Sequence, residues 1–396
     1  MKVGVPVESY PNENRVAIVP SVVHLLTETG LEVIMQQGAG DKAGFPDSEF
    51  EKQGVGILPD RAQLFSSADI LLQVHGLNVD SENGSDDLKL LHSGQVMVGQ
   101  FNPLGAPENA KQIADAGVTV FSLELLPRIS RSQPMDVLSS MATVAGYKAA
   151  LLAAGALQKL YPMMITAAGT ITPARVFVVG AGVAGLQAIA TSKRLGAVVQ
   201  AYDVRPVVKE QVESLGAKFV ELELETEEAE TSGGYAQAMG EEFYSRQREM
   251  MIKVVAGSDV VITTAAIPGK KSPMLVTEEM VKGMAPGSII IDLAAEGGGN
   301  CELTKAGETI DAHGVTIMGP VNIASTIPYH ASQMYAKNLT SFLQNLVENG
   351  EINLNLEDPI ISDTLLTHEG EVVNPQVREL LGLSVSAQST EDRSNS

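Results

Sequence analysis

The sequence predicts an α/β protein built of two doubly wound domains. Its 396 residues exceed the length of one ordinary domain. Short β-rich runs alternate with helical patterns along the chain, as they do in proteins with parallel sheets. A net charge of -21 disfavours nucleic acid as a partner, and a single cysteine permits no internal disulfide.

The first predicted domain is discontinuous and comprises residues 1–137 and 326–384. Its strands are the apolar runs KVGVPV, LEVIMQQ, ADILLQV, QVMVGQF and VTVFSLE, with a helix after the first run. After the loop PRISRSQ we expect a long helix with Pro134 in its first turn, where the missing N–H costs nothing. A last helix from about Ser332 to Val347 follows the strands of the other domain, so we expect it to return to this one.

The second predicted domain covers residues 138–325, with strands RVFVV, AVVQAYD, AKFVELE, DVVITTA, SIIIDLA and VTIMGP. The longest apolar stretch is interrupted by Lys148 and Lys159, which favours a buried or half-buried helix over a membrane span. The N-terminus lacks the charged and apolar parts of a signal peptide, which predicts a cytoplasmic protein. The polar tail, residues 385–396, predicts disorder.

The segment RVFVVGAGVAGLQAIA carries the most specific motif in the chain. Gly180, Gly182 and Gly185 follow an apolar strand-like run and open a helical pattern. The first glycine allows a sharp turn, the second allows backbone to approach a pyrophosphate, and the third allows helix and strand to pack closely. Phosphates would then sit at the helix N-terminus. The pattern predicts a Rossmann dinucleotide site.

The acidic residue Asp203 ends the next strand, where its carboxylate can accept hydrogen bonds from ribose hydroxyls. A 2′-phosphate would meet it as a like charge, so NAD(H) is favoured, although the nearby Arg205 can accommodate such a phosphate. Ala265 and Ala266 end the strand DVVITTA at the same sheet edge and leave room for adenosine. The predicted cofactor contacts are Gly180, Gly182, Val183, Gly185, Asp203, Val204, Arg205, Gly234, Tyr235, Ala265 and Ala266.

A second glycine-rich stretch, TSGGYAQAMGEEF, follows an acidic run that we interpret as solvated surface. Gly233 and Gly234 beside Tyr235 and Met239 fit a mobile loop that closes over a nucleotide. From the residues alone, an ordinary Gly-Gly turn is the better explanation.

These motifs lie within segments that resemble the NAD(H)-binding domain of proton-translocating nicotinamide nucleotide transhydrogenase, a family related to alanine dehydrogenase. The resemblance spans nearly the whole chain through PRISRSQPMDVLSS, TAAGTITPARVFVVGAGVAGLQAIATSKRLGAVVQAYDVR, TTAAIPGKKSP and IDLAAEGGGNCELT. It implies NAD(H) on this chain and NADP(H) on a separate beta subunit, with hydride transfer between them. It further implies coupling to proton translocation, a homodimer, a small membrane alpha subunit and a peripheral place beside membrane-embedded partners. The chain reaches Ser396 without a transmembrane helix, so it resembles the split form of the alpha subunit.

The resemblance also implies that Arg128, Gln133, Asp136 and Ser139 surround the nicotinamide ring. Asp136 and Ser139 are three residues apart and share one face if both are helical. We expect Arg128 and Asp136 to pair and orient the carboxamide, while Gln133 reaches towards the second nucleotide. From the residue pattern alone, a helix cap with a solvated ion pair is an equal alternative.

Alanine dehydrogenase is the alternative enzyme, and its chemistry needs a proton acceptor and a group that grips the substrate carboxylate. Arg15 matches that family's carboxylate-binding arginine, but His75 and Asn102 stand where it has lysine and histidine, and Glu296 follows the IDLA strand. These differences favour transhydrogenase. A non-catalytic NAD-binding module stays open as a third interpretation. The histidines show no metal-ligand spacing, so we predict no metal site.

Overall fold

The computed structural model describes residues 1–77, 86–221, 241–267 and 269–384. They pack as two compact units: the first unit is Met1–Met141 with the chain from Ser325 onward, and the second unit is Ala142–Ala324. Both contain largely parallel sheets with helices in between, so the predicted fold class is confirmed.

Nineteen strands occur among the described residues. They are β1 (Lys2–Val5), β2 (Glu32–Gln36), β3 (Gly56–Leu58), β4 (Ile70–His75), β5 (Val96–Gln100), β6 (Thr119–Ser122), β7 (Met164–Thr166), β8 (Gly169–Ile171), β9 (Arg175–Val179), β10 (Val198–Tyr202), β11 (Lys218–Phe219), β12 (Val260–Thr263), β13 (Ile289–Asp292), β14 (Thr309–Ala312), β15 (Val315–Met318), β16 (Val347–Glu348), β17 (Glu351–Ile352), β18 (Leu365–His368) and β19 (Glu371–Val372).

The α-helices of the described chain range from single turns to long core helices. They are α1 (Val23–Glu28), α2 (Asp47–Glu51), α3 (Arg61–Ser67), α4 (Pro107–Asp115), α5 (Val137–Ala156), α6 (Val183–Arg194), α7 (Lys209–Ser214), α8 (Glu241–Ala256), α9 (Glu278–Lys282), α10 (Pro328–Leu346), α11 (Pro359–Thr364) and α12 (Pro375–Leu380).

The sheet of the first unit has the order β19-β18-β6-β5-β4-β1-β2-β3. The strands from β6 to β3 are parallel, while β18 and β19 add an antiparallel edge. Each of the five predicted apolar runs forms a strand here. The sequence did not predict β3, β18 or β19, because runs of two to four residues give little periodic signal.

The sheet of the second unit has the order β11-β10-β9-β12-β13-β15-β14. Strands β11 to β15 in this order are parallel, and β14 pairs antiparallel with β15 at the edge. Strand order reverses between β9 and β12, which is the point where open α/β sheets bind ligands. All six predicted strands form, whereas β14 and the hairpin β7–β8 were not predicted.

The long helix begins later than expected. Pro134 lies in a short 3-10 helix, Ser130–Met135, and α5 starts at Val137. The reason is local: Asp136 has extended backbone (φ -74°, ψ 91°) and its side chain caps the helix. The last long helix, α10, starts at Pro328 rather than near Ser332, because a proline at the first position suits a helix start.

Within the described residues, α5 has the length and apolar composition of a membrane span. Of its most apolar 18-residue stretch, 39% is buried inside the protein. Alanines 149, 150 and 153 of this helix pack in the core of the second unit. A half-buried core helix meets the same criteria, so this single helix is weak support for a membrane span.

Candidate functional site

The glycine turn between β9 and α6 has the geometry that a dinucleotide phosphate needs. Gly180 has a positive φ of 94°, which favours glycine, and its N–H donates to Tyr202 O at 2.8 Å. A Cβ on Gly185 would lie 1.8 Å from Gly180 O, so only glycine permits this approach of helix to strand. Gly182 precedes α6, and among the described residues no side chain caps this helix there; the N–H groups of a helix N-terminus are a common binding place for anions.

Asp203 lies directly after β10 and ties this strand to the glycine turn. Its Oδ2 accepts a hydrogen bond from Ala181 N at 2.7 Å. Arg205 donates from Nε to Oδ1 and from one terminal nitrogen to Oδ2, both at 2.9 Å. That guanidinium nitrogen also lies 4.0 Å from the Cβ position of Gly182. The carboxylate predicted to hold the ribose is therefore buried, charge-paired and next to the phosphate turn.

The end of β12 supplies the neighbouring wall of this site. Thr264 Oγ1 donates to Gly180 O at 3.0 Å and so links β12 to the glycine turn. Ala266 is exposed and Ala265 half-buried at this edge, and Val183 is 43% exposed at the start of α6. Small and exposed groups at the carboxyl edge leave space for a ligand. Gly234 and Tyr235, also predicted to contact the cofactor, lie outside the described residues.

A buried polar network behind this wall was not predicted from the sequence. Asp292 ends β13 and accepts five hydrogen bonds between 2.7 and 3.0 Å. One of its donors is the backbone N–H of Asn300, whose side chain in turn binds both backbone polar groups of Ala265. One signal was present in the sequence: Asp292 ends an apolar strand at the same sheet edge as Asp203.

In the first unit, Asp136 and Ser139 lie together as a helix cap. Asp136 Oδ1 accepts from Ser139 N at 2.9 Å and Oδ2 accepts from Ser139 Oγ at 2.5 Å. Asp136 is thus the capping residue of α5 and not part of a shared helical face. Arg128 and Gln133 are exposed on the preceding loop. The Arg128–Asp136 pair and the roles of all four residues at a nicotinamide stay predictions.

The segment that carries Arg128 and Gln133 is held by contacts of the side chains of Ser132, Asn338 and Arg131. Ser132 Oγ donates to Pro127 O and, at 2.8 Å, to Ile129 O. Asn338 on α10 donates to Pro134 O at 2.7 Å, and Arg131 pairs with Asp358. The exposed side chains of this loop therefore project from a fixed backbone, which is the arrangement needed to orient a ligand.

Comparison with known proteins agrees with this geometry. Models of the alanine dehydrogenase/PNT N-terminal and C-terminal domains match residues 4–145 and 149–375. The chain is 47% identical to the first of the polypeptides that make up the NAD(P) transhydrogenase alpha subunit of Rhodospirillum rubrum, over 95% of this chain and 98% of that protein.

The chain belongs to the alanine dehydrogenase/PNT family. A crystal structure of transhydrogenase from Sinorhizobium meliloti superposes with a TM-score of 0.84 at 44% identity, covering 94% of this chain and all of that one. Alanine dehydrogenase of Halomonas elongata is 28% identical over 97% of each chain. Within the family the chain is thus much more similar to transhydrogenase alpha subunits, and it binds a nicotinamide nucleotide.

Arg15, which matches the carboxylate-binding arginine of alanine dehydrogenase, is buried in an internal ion pair. It donates to both carboxylate oxygens of Glu13, at 2.8 and 2.6 Å. His75 Nε2 lies 3.2 Å from the same carboxylate, and its ring stacks on Tyr10. Although burial alone raises the pKa of Glu13, hydrogen bonds from Arg15 and His75 hold it well below its usual range. These contacts fit a structural role for Arg15.

Two other positions that separate the two enzymes, Asn102 and Glu296, also make hydrogen bonds within the protein. Asn102 has a positive φ of 49°, which asparagine tolerates, and its N–H donates to Glu124 at 2.8 Å. Glu296 accepts from Asn322 N at 2.9 Å. Cys301, the single cysteine, is buried in an apolar cluster, and burial raises the pKa of its thiol.

Proposed function

We propose that this chain is the NAD(H)-binding subunit of a proton-translocating transhydrogenase. It exchanges hydride between its own NAD(H) and NADP(H) on a partner beta subunit, and membrane subunits couple this exchange to proton translocation. The observation that carries the proposal is the 47% identity to a transhydrogenase alpha subunit over nearly full length, against 28% for alanine dehydrogenase. His75 and Asn102, in place of lysine and histidine, support the same conclusion.

The second unit holds NAD(H). The glycine turn and the start of α6 bind the pyrophosphate, with Val183 beside it. Asp203 accepts hydrogen bonds from the adenosine ribose hydroxyls, and its neighbours Val204 and Arg205 contact the same end of the nucleotide. The Asp203–Arg205 pair reduces the charge that a 2′-phosphate would meet, so NAD(H) is preferred by a moderate factor. Gly234 and Tyr235 are proposed to contact the bound nucleotide.

The residues predicted to surround the nicotinamide orient the reacting ring. The nicotinamide itself supplies the hydride chemistry, so this chain needs no general base and must provide orientation and exclusion of water. Asp136 and Ser139, already joined by two hydrogen bonds, present acceptors and a donor to the carboxamide together with Arg128. Gln133, exposed on a braced loop, reaches towards the second nucleotide.

A homodimer and a peripheral attachment to membrane partners complete the proposal. The hairpin β7–β8 is exposed in all six strand residues. Ile165 is 81% exposed, Met163 61% and Met164 43%. An isolated two-stranded hairpin is marginally stable in water, and a clustered apolar surface marks an interface. We propose that this hairpin packs against a second copy of the chain. Ile165→Glu should then abolish the dimer, as measured by analytical ultracentrifugation.

The decisive experiment makes three measurements on one preparation of the protein: NADH binding, turnover of amino and keto acids, and hydride transfer. The isolated protein should bind NADH in a fluorescence titration and show negligible turnover with alanine, pyruvate or other amino and keto acids. When the NADP(H)-binding beta subunit is added, stopped-flow absorbance should show hydride transfer from NADPH to an NAD+ analogue. Robust oxidation of any amino acid by the isolated chain would overturn the proposal, and NADH binding without transfer would leave a non-catalytic module.

A further inference from the structure

Asn300 lies in the interior of the second unit, next to Ala265 at the carboxyl end of β12. Its side chain is fully buried, yet it makes three hydrogen bonds to backbone atoms. Its Oδ1 accepts from Ala265 N at 3.0 Å and its Nδ2 donates to Ala265 O at 2.8 Å. The amide therefore pairs with Ala265 as a neighbouring strand would. A third bond, from Nδ2 to Pro273 O at 2.8 Å, fixes the orientation of the amide.

The contact between Asn300 and Ala265 begins where the backbone hydrogen bonds between β9 and the chain after β12 end. Thr264 N still donates to Val179 O at 2.9 Å, and at the next residue both backbone polar groups turn to Asn300. A Cβ on Gly180 would lie 2.6 Å from Thr264 Oγ1 and 3.2 Å from Ala265 N. The segment that Asn300 holds is therefore packed directly against the phosphate-binding turn.

Asn300 is itself fixed from behind by a carboxylate. Asp292 Oδ2 accepts from Asn300 N at 2.8 Å, Cys301 N at 3.0 Å and Thr304 Oγ1 at 2.7 Å. Asn300 O accepts from Leu275 N at 2.8 Å. A buried network in which each member is satisfied is rigid, and its parts depend on one another. Movement of Asn300 would therefore move the Ala265 backbone.

We propose that Asn300 is a positioning residue that sets nucleotide affinity by holding the Ala265 edge of the site, without touching the nucleotide. The inference rests on the proposed binding of NAD(H) in the second unit. Because Ala265 and Ala266 are predicted to border adenosine, the effect should extend to ligands that lack nicotinamide. ADP-ribose and NADH should therefore respond to changes at Asn300 by the same factor.

Two substitutions separate this role from a contribution to stability alone. Asn300→Ala removes all three bonds, and we expect NADH and ADP-ribose affinities to fall by ~10-fold or more. Asn300→Asp keeps the size, but a carboxyl group carries at most one proton, so it can donate to only one of the carbonyls of Ala265 and Pro273. The NADH and ADP-ribose affinities of Asn300→Asp should therefore also fall by a common factor of ~3-fold or more.

The matched control is Cys301→Ala, a buried change on the same loop whose side chain packs in the apolar cluster below the sheet. It should lower the thermal midpoint and leave both affinities unchanged. Unchanged affinity for both ligands in folded Asn300→Ala, or in folded Asn300→Asp, overturns the inference. If Asn300→Ala does not fold, the affinities of Asn300→Asp decide alone. Failure of the unsubstituted protein to bind NADH would instead refute the proposed function.

Discussion

The glycine turn of the second unit and the polar side-chain pairs of the first unit are built in different ways. In the second unit, the phosphate turn is built from backbone, and its shape depends on glycines at positions where a side chain cannot fit. In the first unit, polar function is carried by side chains, with Asp136 and Ser139 joined in a cap and Glu13 paired with Arg15. Backbone sites depend on steric fit, whereas side-chain sites depend on charge and orientation. Substitutions at the glycine turn should therefore act through steric clash, and substitutions at the side-chain pairs through loss of charge or orientation.

The largest effect is expected at Gly185. Replacement by alanine would place a Cβ 1.8 Å from Gly180 O, a backbone atom that cannot move without opening the turn. We expect Gly185→Ala to lower NADH affinity by ~100-fold or more, about 2.7 kcal/mol. Titration of NADH fluorescence measures the loss.

Gly155→Ala is the control for this prediction. Gly155 lies in α5 with no atom within 4 Å of its Cβ position. Alanine there should stabilise the helix by about 0.5–1 kcal/mol and leave NADH binding unchanged. If Gly185→Ala bound NADH as tightly as Gly155→Ala, steric fit of the turn would not govern this site.

This contrast also explains what the sequence could predict. The glycine turn was predictable because only glycine fits at its crowded positions, and these positions lie within six consecutive residues, from Gly180 to Gly185. The start of α5 was not, since a proline and an aspartate both suit a helix start and only the backbone at Asp136 decides between them. Asn300 could not be found because its partner, Ala265, lies 35 residues away, and no local pattern encodes such a bond.

The second prediction concerns buried charge in the first unit. Burial raises the pKa of Glu8 to about 8, against the opposing effect of hydrogen bonds from Val74 N and His75 N. A raised acid pKa means that the folded state holds a proton the unfolded state has lost. The contribution of Glu8 to stability is complete below about pH 4.5 and declines until the pH passes about 8.

Urea unfolding at about pH 6 and about pH 8.5 should therefore show stability falling by about 2 kcal/mol, and Glu8→Gln should remove most of that slope. Glu51→Gln, at an exposed position of the same unit, serves as the control and should keep the slope. A slope that is equal in Glu8→Gln and in the unsubstituted protein would show that Glu8 is ionised throughout this range.

The third prediction tests an exposed side chain of the first unit. If Gln133 organises the second nucleotide, it acts mainly in the assembled transition state. Gln133→Asn should slow hydride transfer from NADPH on the beta subunit to the NAD+ analogue on this chain by ~10-fold or more, with NADH affinity nearly unchanged. Gln53→Asn, another exposed glutamine of this unit, should change neither quantity. Transfer at the unsubstituted rate would reduce the loop from Arg128 to Ser139 to a helix cap.

The smallest effect is expected at Asp203, the side chain beside the glycine turn that is proposed to set the preference for NADH over NADPH. The unsubstituted protein should bind NADH at least ~10-fold more tightly than NADPH, about 1.4 kcal/mol. In Asp203→Asn, the remaining amide oxygen can still accept from Ala181 N, so the turn should persist. The preference should narrow to within ~3-fold, mainly because NADH binds less tightly.

Asp259→Asn is the matched control, because Asp259 precedes β12 at the opposite end of the sheet and pairs with Lys159. It should leave the preference intact. Arg205→Ala then separates charge from shape: without the guanidinium, Asp203 meets a 2′-phosphate as an uncompensated negative charge. The preference for NADH should therefore widen in Arg205→Ala and narrow in Asp203→Asn. If both variants narrowed it, Arg205 would act as a ribose ligand in its own right, and the ion pair would not control the choice of cofactor.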